Sequence, residues 1–216
     1  MSSSEPQGET ERVRRLMAKQ APRYDRQMNF FDRVPLGGGR EWACSEARGE
    51  VLEIAVGSGR NLPFYPDGIS LTGVECSREM LALARSRAER IGRGVDLRLG
   101  DTERLEFEGG SFDTVVSTLA LCTIPDPALA VAEAKRVLRP GGRFVALEHV
   151  RSPVAVRAIQ RMLDPLSVRL AADHLVREPL EYLRAAELEV EQLERSKWGI
   201  VERAIARKPG EREALV

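Results

Sequence analysis

From Val51 to Gly59 the sequence VLEIAVGSG sets a run of strand-forming residues directly before two glycines, and an acid, Glu75, closes the next such run, LTGVE. Those types in that order suit a nucleoside ligand. Val51, Leu52, Ile54 and Val56 favour a buried strand, while Gly57 and Gly59 let the chain turn sharply and approach a ligand with no Cβ in the way. A carboxylate at the end of the following strand can accept both hydroxyls of a ribose. A nicotinamide enzyme would need a third glycine where Leu62 stands, so hydride transfer fits less well. The plainer reading, a glycine turn that merely enters a helix, leaves Glu75 unexplained.

On the acceptor side the chain offers two histidines. His149 follows Glu148 at the end of the fifth expected strand, the edge where open α/β sheets hold ligands. Both are placed to orient or deprotonate an acceptor. His174, in AADHLVRE, is a second candidate, and either histidine could equally be a packed structural residue.

Positioning these groups requires alternating elements. Apolar periodicity predicts strands at 51–56, 69–75, 94–99, 112–118 and 143–149. Helices are expected from about 59, over 77–91 behind the N-cap residue Ser77, and over 126–139, where Pro140-Gly141-Gly142 forbids continuation. After Ser152 a helical region should run to about 186, and two closing strands, EVEQLERSKW and GIVERAIARK, meet near Trp198-Gly199. The alternation implies an α/β fold, a doubly wound, mostly parallel sheet of seven strands. Upstream, ERVRRLMAKQ, PRYDRQMNFFDRV and GGGREWACSEAR suggest two or three helices forming a lid. The expected organisation is a disordered leader at 1–8, the lid at 9–48, the α/β domain at 49–208 and a flexible tail at 209–216.

Together with GDTERLEFEGGSFDTVVSTLALCTIPDPALAVAEAKRVLRPGGRFVALEH, from Gly100 to His149, these segments resemble the class I S-adenosylmethionine-dependent methyltransferases. The branch they look like holds the ubiquinone/menaquinone-type C-methyltransferases and the phosphatidylethanolamine-type N-methyltransferases. The resemblance implies a Rossmann-like methyltransferase fold, S-adenosyl-L-methionine as cofactor, and a small-molecule or lipid-like acceptor of quinone-precursor, phospholipid or thiol type. Carried over position by position, it gives the amino-acid end of the cofactor to Glu53 and the turn through Gly57 and Gly59, and the ribose to Glu75. Asp101 would accept the adenine amino group between Cys76, Met80 and Thr102, and Thr118 and Leu119 would close the pocket. Tyr24, with Asp25, resembles the family's N-terminal segment that folds over the cofactor. One departure stands at the first turn position, where the family usually has glycine and this chain has Ala55.

Bulk properties bound the rest. A chain of 216 residues suits one α/β domain with a sizeable core. With 33 basic and 33 acidic residues it has no field to track phosphates, and STLALCTI lacks the NPPY-like signature of amino-directed DNA enzymes. No nucleic-acid partner is expected. Cys44, Cys76 and Cys122 are odd in number with no CxxC pair, which points to reduced thiols, a cytoplasmic location and no metal centre. Arginine-rich amphipathic stretches at 13–28 and 154–170 would suit weak contact with a membrane surface, although arginine on the solvated face of a core helix is ordinary. The other reading of the whole chain is a binding module that keeps the fold and has lost the chemistry.

Overall fold

In the computed structural model, which describes residues 5–33, 36–152, 154–196 and 199–210, seven strands form one sheet in the order β3-β2-β1-β4-β5-β7-β6. The strands are β1 (Glu50–Ile54), β2 (Ser70–Glu75), β3 (Asp96–Leu99), β4 (Phe112–Thr118), β5 (Leu138–His149), β6 (Glu189–Arg195) and β7 (Val201–Arg207). β1 to β5 run parallel, and β7 lies antiparallel to both β5 and β6. The order reverses between β1 and β4, so their carboxyl ends open the crevice where such sheets take ligands.

Side-chain alternation sorts the sheet into two cores. Leu52, Ile54, Val115, Phe144 and Ala146 face α4 (Pro127–Val137) and Leu183 of α6 (Pro179–Ala185). Val51, Val116, Val145 and Leu147 face the other layer, with Ala43 and Cys44 of α2 (Gly39–Ser45) and Leu81 and Ala88 of α3 (Arg78–Ile91). Ser77 caps α3 as expected, its hydroxyl accepting from Met80 N, and Gly92 ends the helix in the left-handed region. Asp126 caps α4 in the same way. The three cysteines are unpaired.

The architecture matches the reading of the sequence, and several boundaries differ. The helix expected from about 59 is a single 3-10 turn, Leu62–Phe64, because Pro63 and Pro66 with Asp67-Gly68 leave no room for a second turn. α4 stops at Val137, and β5 begins at Leu138, five residues ahead of the expected 143. The two helices expected before Arg33 are one, α1 (Glu5–Arg33), which continues through Pro22. An internal proline costs on the order of 3 kcal/mol, offset here by packing on α3 and on α5 (Val154–Ala171). α1 starts at Glu5, so residues 5–8, read as leader, lie in the helix, while residues 1–4 fall outside the described residues. Trp198 and the tail from residue 211 also fall outside them.

Candidate functional site

A cavity of about 660 Å³ opens at the carboxyl ends of β1 and β4, between the sheet and the paired helices α1 and α5. β1 delivers Glu53 and then the turn. Ala55 occupies the left-handed region at φ 50°, the conformation that makes glycine usual at this position, and Gly57 follows at φ 57°. A Cβ on Gly57 would meet nothing closer than Met80 Cε at 3.7 Å, so the residue leaves real space for a ligand. Gly59 does not. Its Cβ would lie 2.8 Å from Leu62 Cδ1 and 3.1 Å from Ala84 Cα. Gly59 is absent from the cavity wall, and its smallness serves the packing of the turn on α3 rather than a ligand's approach.

Glu75 is buried at the end of β2. Its Oε2 accepts from Gly57 N at 3.0 Å and its Oε1 from Ser77 N at 2.9 Å. Burial raises its pKa, partly countered by these hydrogen bonds. A carboxylate held rigidly at a cavity wall, with lone pairs left over and no ion-pair partner among the described residues, is a receptor for neutral hydroxyl donors. The paired hydroxyls of a ribose are donors of that kind.

Glu53 is sealed by Tyr65 Oη and Asn61 Nδ2, each at 2.9 Å. Burial pushes its pKa up to about 7 against those hydrogen bonds and the charge of Arg40. An ammonium arriving beside it would add to the charge of Arg40 and favour the ionised carboxylate. Asn61 also donates to Thr118 Oγ1 at 3.0 Å, which ties the ends of β1 and β4 together. Asp101, its Oδ1 accepting from Glu103 N at 2.9 Å, reaches the wall with Cys76, Met80 and Thr102. Leu119 lines the wall at φ 52°, a second strained non-glycine position. Tyr24 enters from α1, its phenol pKa raised to about 12 by burial.

At the other end of the cavity His149 Nε2 lies 2.7 Å from Asp173 Oδ1, and both residues line the wall with Cys122. Burial alone would lower the histidine's pKa; the hydrogen bond and charge of Asp173 outweigh it and hold it above the ordinary value. The same contact keeps Asp173 below its ordinary value against its own burial. The two shifts have one cause, the mutual hydrogen bond and charge of the pair. One donor atom each from Cys122, His149 and Asp173 lies within 4.8 Å of the others, compact enough for a metal ion. Burial nevertheless holds the Cys122 thiol well above its ordinary pKa, and the trio is a hydrogen-bonded cluster as it stands.

Two acceptor-side expectations are corrected. Glu148 points to the opposite face of β5 from His149 and is absent from the cavity wall. Its Oε1 accepts from Ser117 Oγ at 2.7 Å and from Ala120 N and Leu121 N, so it anchors the loop after β4. His174 is also off the wall, with its backbone N–H given to Cys122 O. The wall residue is its neighbour Asp173, which the sequence reading passed over. That reading also missed the buried Arg40, which donates to Asn61 Oδ1 and Asp32 Oδ1 and so joins α1 to the β1 turn.

Residues 52–146 match the sequence family described as "Methyltransferase domain". A phosphatidylethanolamine N-methyltransferase of Cereibacter sphaeroides is 38% identical over 118 residues, covering 53% of this chain and 58% of the relative. The thiol S-methyltransferase TMT1B of Rattus norvegicus is 32% identical over 152 residues, 67% of this chain and 62% of the relative. The chain thus spans less than two thirds of the length of these relatives. A solved S-adenosylmethionine-dependent methyltransferase of Thermotoga maritima superposes with a TM-score of 0.72 at 24% identity, covering 90% of this chain and 99% of that one.

Proposed function

Since the chain belongs to the S-adenosylmethionine-dependent methyltransferase family, we propose that it transfers the cofactor's methyl group to a small, largely apolar acceptor held at the His149 end of the cavity. The single observation carrying this is the cavity itself. It joins the Gly57–Glu75–Asp101 wall to His149 without a break, so both reactants fit one enclosure. When bound, S-adenosylmethionine supplies an electrophilic methyl on a sulfonium. The protein's task is then to orient the acceptor on the transfer axis, exclude water and take the acceptor's proton.

Glu75 would hold the ribose hydroxyls, Glu53 and the turn the amino-acid end, and Asp101 the adenine amino group. His149 would receive the proton as the acceptor's lone pair forms its bond to the methyl carbon. The residues from α1 and α2, 9–48, would serve as the lid, with Tyr24 over the cofactor. Among the described residues the arginines on the wall, Arg40 and Arg60, are tied to Asp32 and Asp25, which leaves no unpaired arginine there. That favours a neutral thiol or quinol-type acceptor over an anionic headgroup drawn deep inside. Among the described residues no helix is long and apolar enough to cross a membrane. The exposed stripe Met162, Leu163, Leu166 and Leu170 on α5, which also walls the cavity, still suits weak contact with a bilayer as an apolar acceptor enters.

Calorimetry tests the cofactor. S-adenosylmethionine and S-adenosylhomocysteine should bind, and Glu75→Ala should weaken both at least tenfold, since charge-assisted hydrogen bonds contribute roughly 1.5 to 3 kcal/mol each. Binding of NAD in place of these, or an unchanged affinity in a folded mutant, would refute the assignment. A panel of thiols, quinol precursors and vesicle-borne phospholipids then reads the acceptor class, and a protein that binds cofactor yet methylates none of them would be the inactive module.

A further inference from the structure

We propose that Asp173 is a positioning residue for methyl transfer: through its hydrogen bond to His149 Nε2 it fixes the imidazole so that Nδ1 carries the lone pair and faces the acceptor space. The inference rests on the reading of His149 as the base.

Three observations place it. The Asp173 carboxylate meets His149 at 2.7 Å from a segment remote in sequence, just after α5, where Ala172 adopts the left-handed φ of 55° to deliver it. A neutral imidazole has one N–H and one lone pair. With Nε2 donating to Asp173, the lone pair falls on Nδ1. Nδ1 makes no hydrogen bond among the described residues. It is also not one of the buried orphan polar atoms, which are Glu148 Oε2, Ser152 Oγ and Glu202 Oε1. It therefore has open surface, and His149 lines the cavity.

The charged groups that act on His149 come from several elements. Asp173 comes from the segment after α5, Arg177 from the segment before α6, and Glu148, on the opposite face of β5, acts through its charge alone. The Cys122 thiol comes from the loop after β4, and α1 presents the Tyr24 phenol on the same wall. The Cys122 thiol donates to Leu119 O at 3.4 Å and lies within 4.8 Å of the His149 and Asp173 donor atoms. In the transfer step the acceptor's X–H bond yields its proton to Nδ1 and X keeps the pair that bonds to the methyl carbon. The bond from that carbon to the departing sulfur breaks, its electrons staying on sulfur. The resulting imidazolium is stabilised by the Asp173 carboxylate, which itself takes no proton.

With two histidines in the chain, the pairing can be read by proton NMR without any acceptor, using His174→Gln to assign the His149 ring signals. In the unmodified chain His149 should titrate above the ordinary 6.5, and in Asp173→Asn, where burial and Arg177 are opposed by Glu148 alone, lower than in the unmodified chain. Turnover should follow. In Asp173→Asn the acid limb of kcat moves to lower pH and the plateau falls roughly 10²-fold or more, because the proton and lone pair are misplaced. Cofactor affinity should stay within about threefold, and Asp173→Glu should restore the raised titration and much of the turnover. A His149 that titrates at or below 6.5 in the unmodified protein overturns the pairing even if no variant folds. So does near-normal plateau turnover in folded Asp173→Asn, or turnover lost to EDTA and restored by zinc, which would make the trio a metal centre. Failure of the methyltransferase reading itself would show separately, as absent cofactor binding with the titration intact.

Discussion

At the residue scale, two glycines two positions apart separate ligand approach from packing. Both have positive φ, so alanine at either costs roughly 1 to 2 kcal/mol of backbone strain. Only Gly59→Ala adds a clash with Leu62 Cδ1 and a tight contact with Ala84 Cα, which raises its total to roughly 2 to 4 kcal/mol. We expect Gly57→Ala to melt a few degrees lower and to bind S-adenosylhomocysteine at least tenfold more weakly. Gly59→Ala should melt much lower, with the affinity of its folded fraction nearly intact. Melting curves paired with calorimetry decide, and the reverse pattern would move the ligand to Gly59. What was legible here followed from strand ends: Glu75 and Gly57 sit where chain order alone puts them. Glu148 and His149 are adjacent in β5 and so face opposite ways, which the twofold strand period makes legible in the sequence. Asp173 carried no sequence signal, because its partner comes to it only when the chain returns after α5.

At the element scale, α1 is held to the turn by acids spaced seven residues apart, Asp25 and Asp32. Asp25 accepts from Ser58 Oγ at 2.6 Å and pairs with Arg60 and Arg87; Asp32 pairs with Arg40 and Arg60. On its other flank Arg12 donates to Val168 O at 2.7 Å and Gln20 to Leu170 O at 3.1 Å, both carbonyls of the last turns of α5. These anchors are polar and partly exposed, the class that opens before a packed core does. Residues 9–33 should therefore exchange amide hydrogens faster than β1 and β4 in the free protein and slow markedly when S-adenosylhomocysteine fills the space beneath Tyr24. Equal protection of this segment in both states would mean that α1 is a fixed wall and not a lid. The central strands β1, β2 and β4 were readable because each is a short, largely buried apolar run, whereas the charged edge strand β6 was read only from its place in the closing hairpin. The continuity of α1 through Pro22 was not, since local propensity argues against it and only tertiary packing on α3 and α5 restores it.

Across the whole molecule, the buried carboxylates make stability and cofactor binding depend on pH in linked ways. Burial raises the pKa of Glu53 to about 7, and raises those of Glu75, Glu148 and Glu202 as well. A carboxyl whose folded pKa exceeds its unfolded value binds more protons when folded. Its contribution is therefore complete below the unfolded pKa, near 4.5 for Glu53, and is lost as pH rises through the folded one. His149, also raised, has the same sign. Asp25, Asp113 and Asp173 are lowered and act oppositely, but their window lies below their ordinary 3.8 and belongs to acid unfolding. The free protein should accordingly melt at a higher temperature at pH 5.5 than at pH 8, with Glu53 alone contributing on the order of 3 kcal/mol at most. A bound ammonium reverses the sense at this residue, since it draws Glu53 back to its ionised form and expels a proton. S-adenosylmethionine should then bind more tightly as pH rises from 6 to 7.5, with proton release visible as a calorimetric enthalpy that changes with the buffer's ionisation heat. Glu53→Gln should flatten both the melting slope and the affinity trend. A wild-type melting temperature that rises across this range, or a Gln variant with both slopes unchanged, would remove Glu53 from the cofactor's amino-acid end.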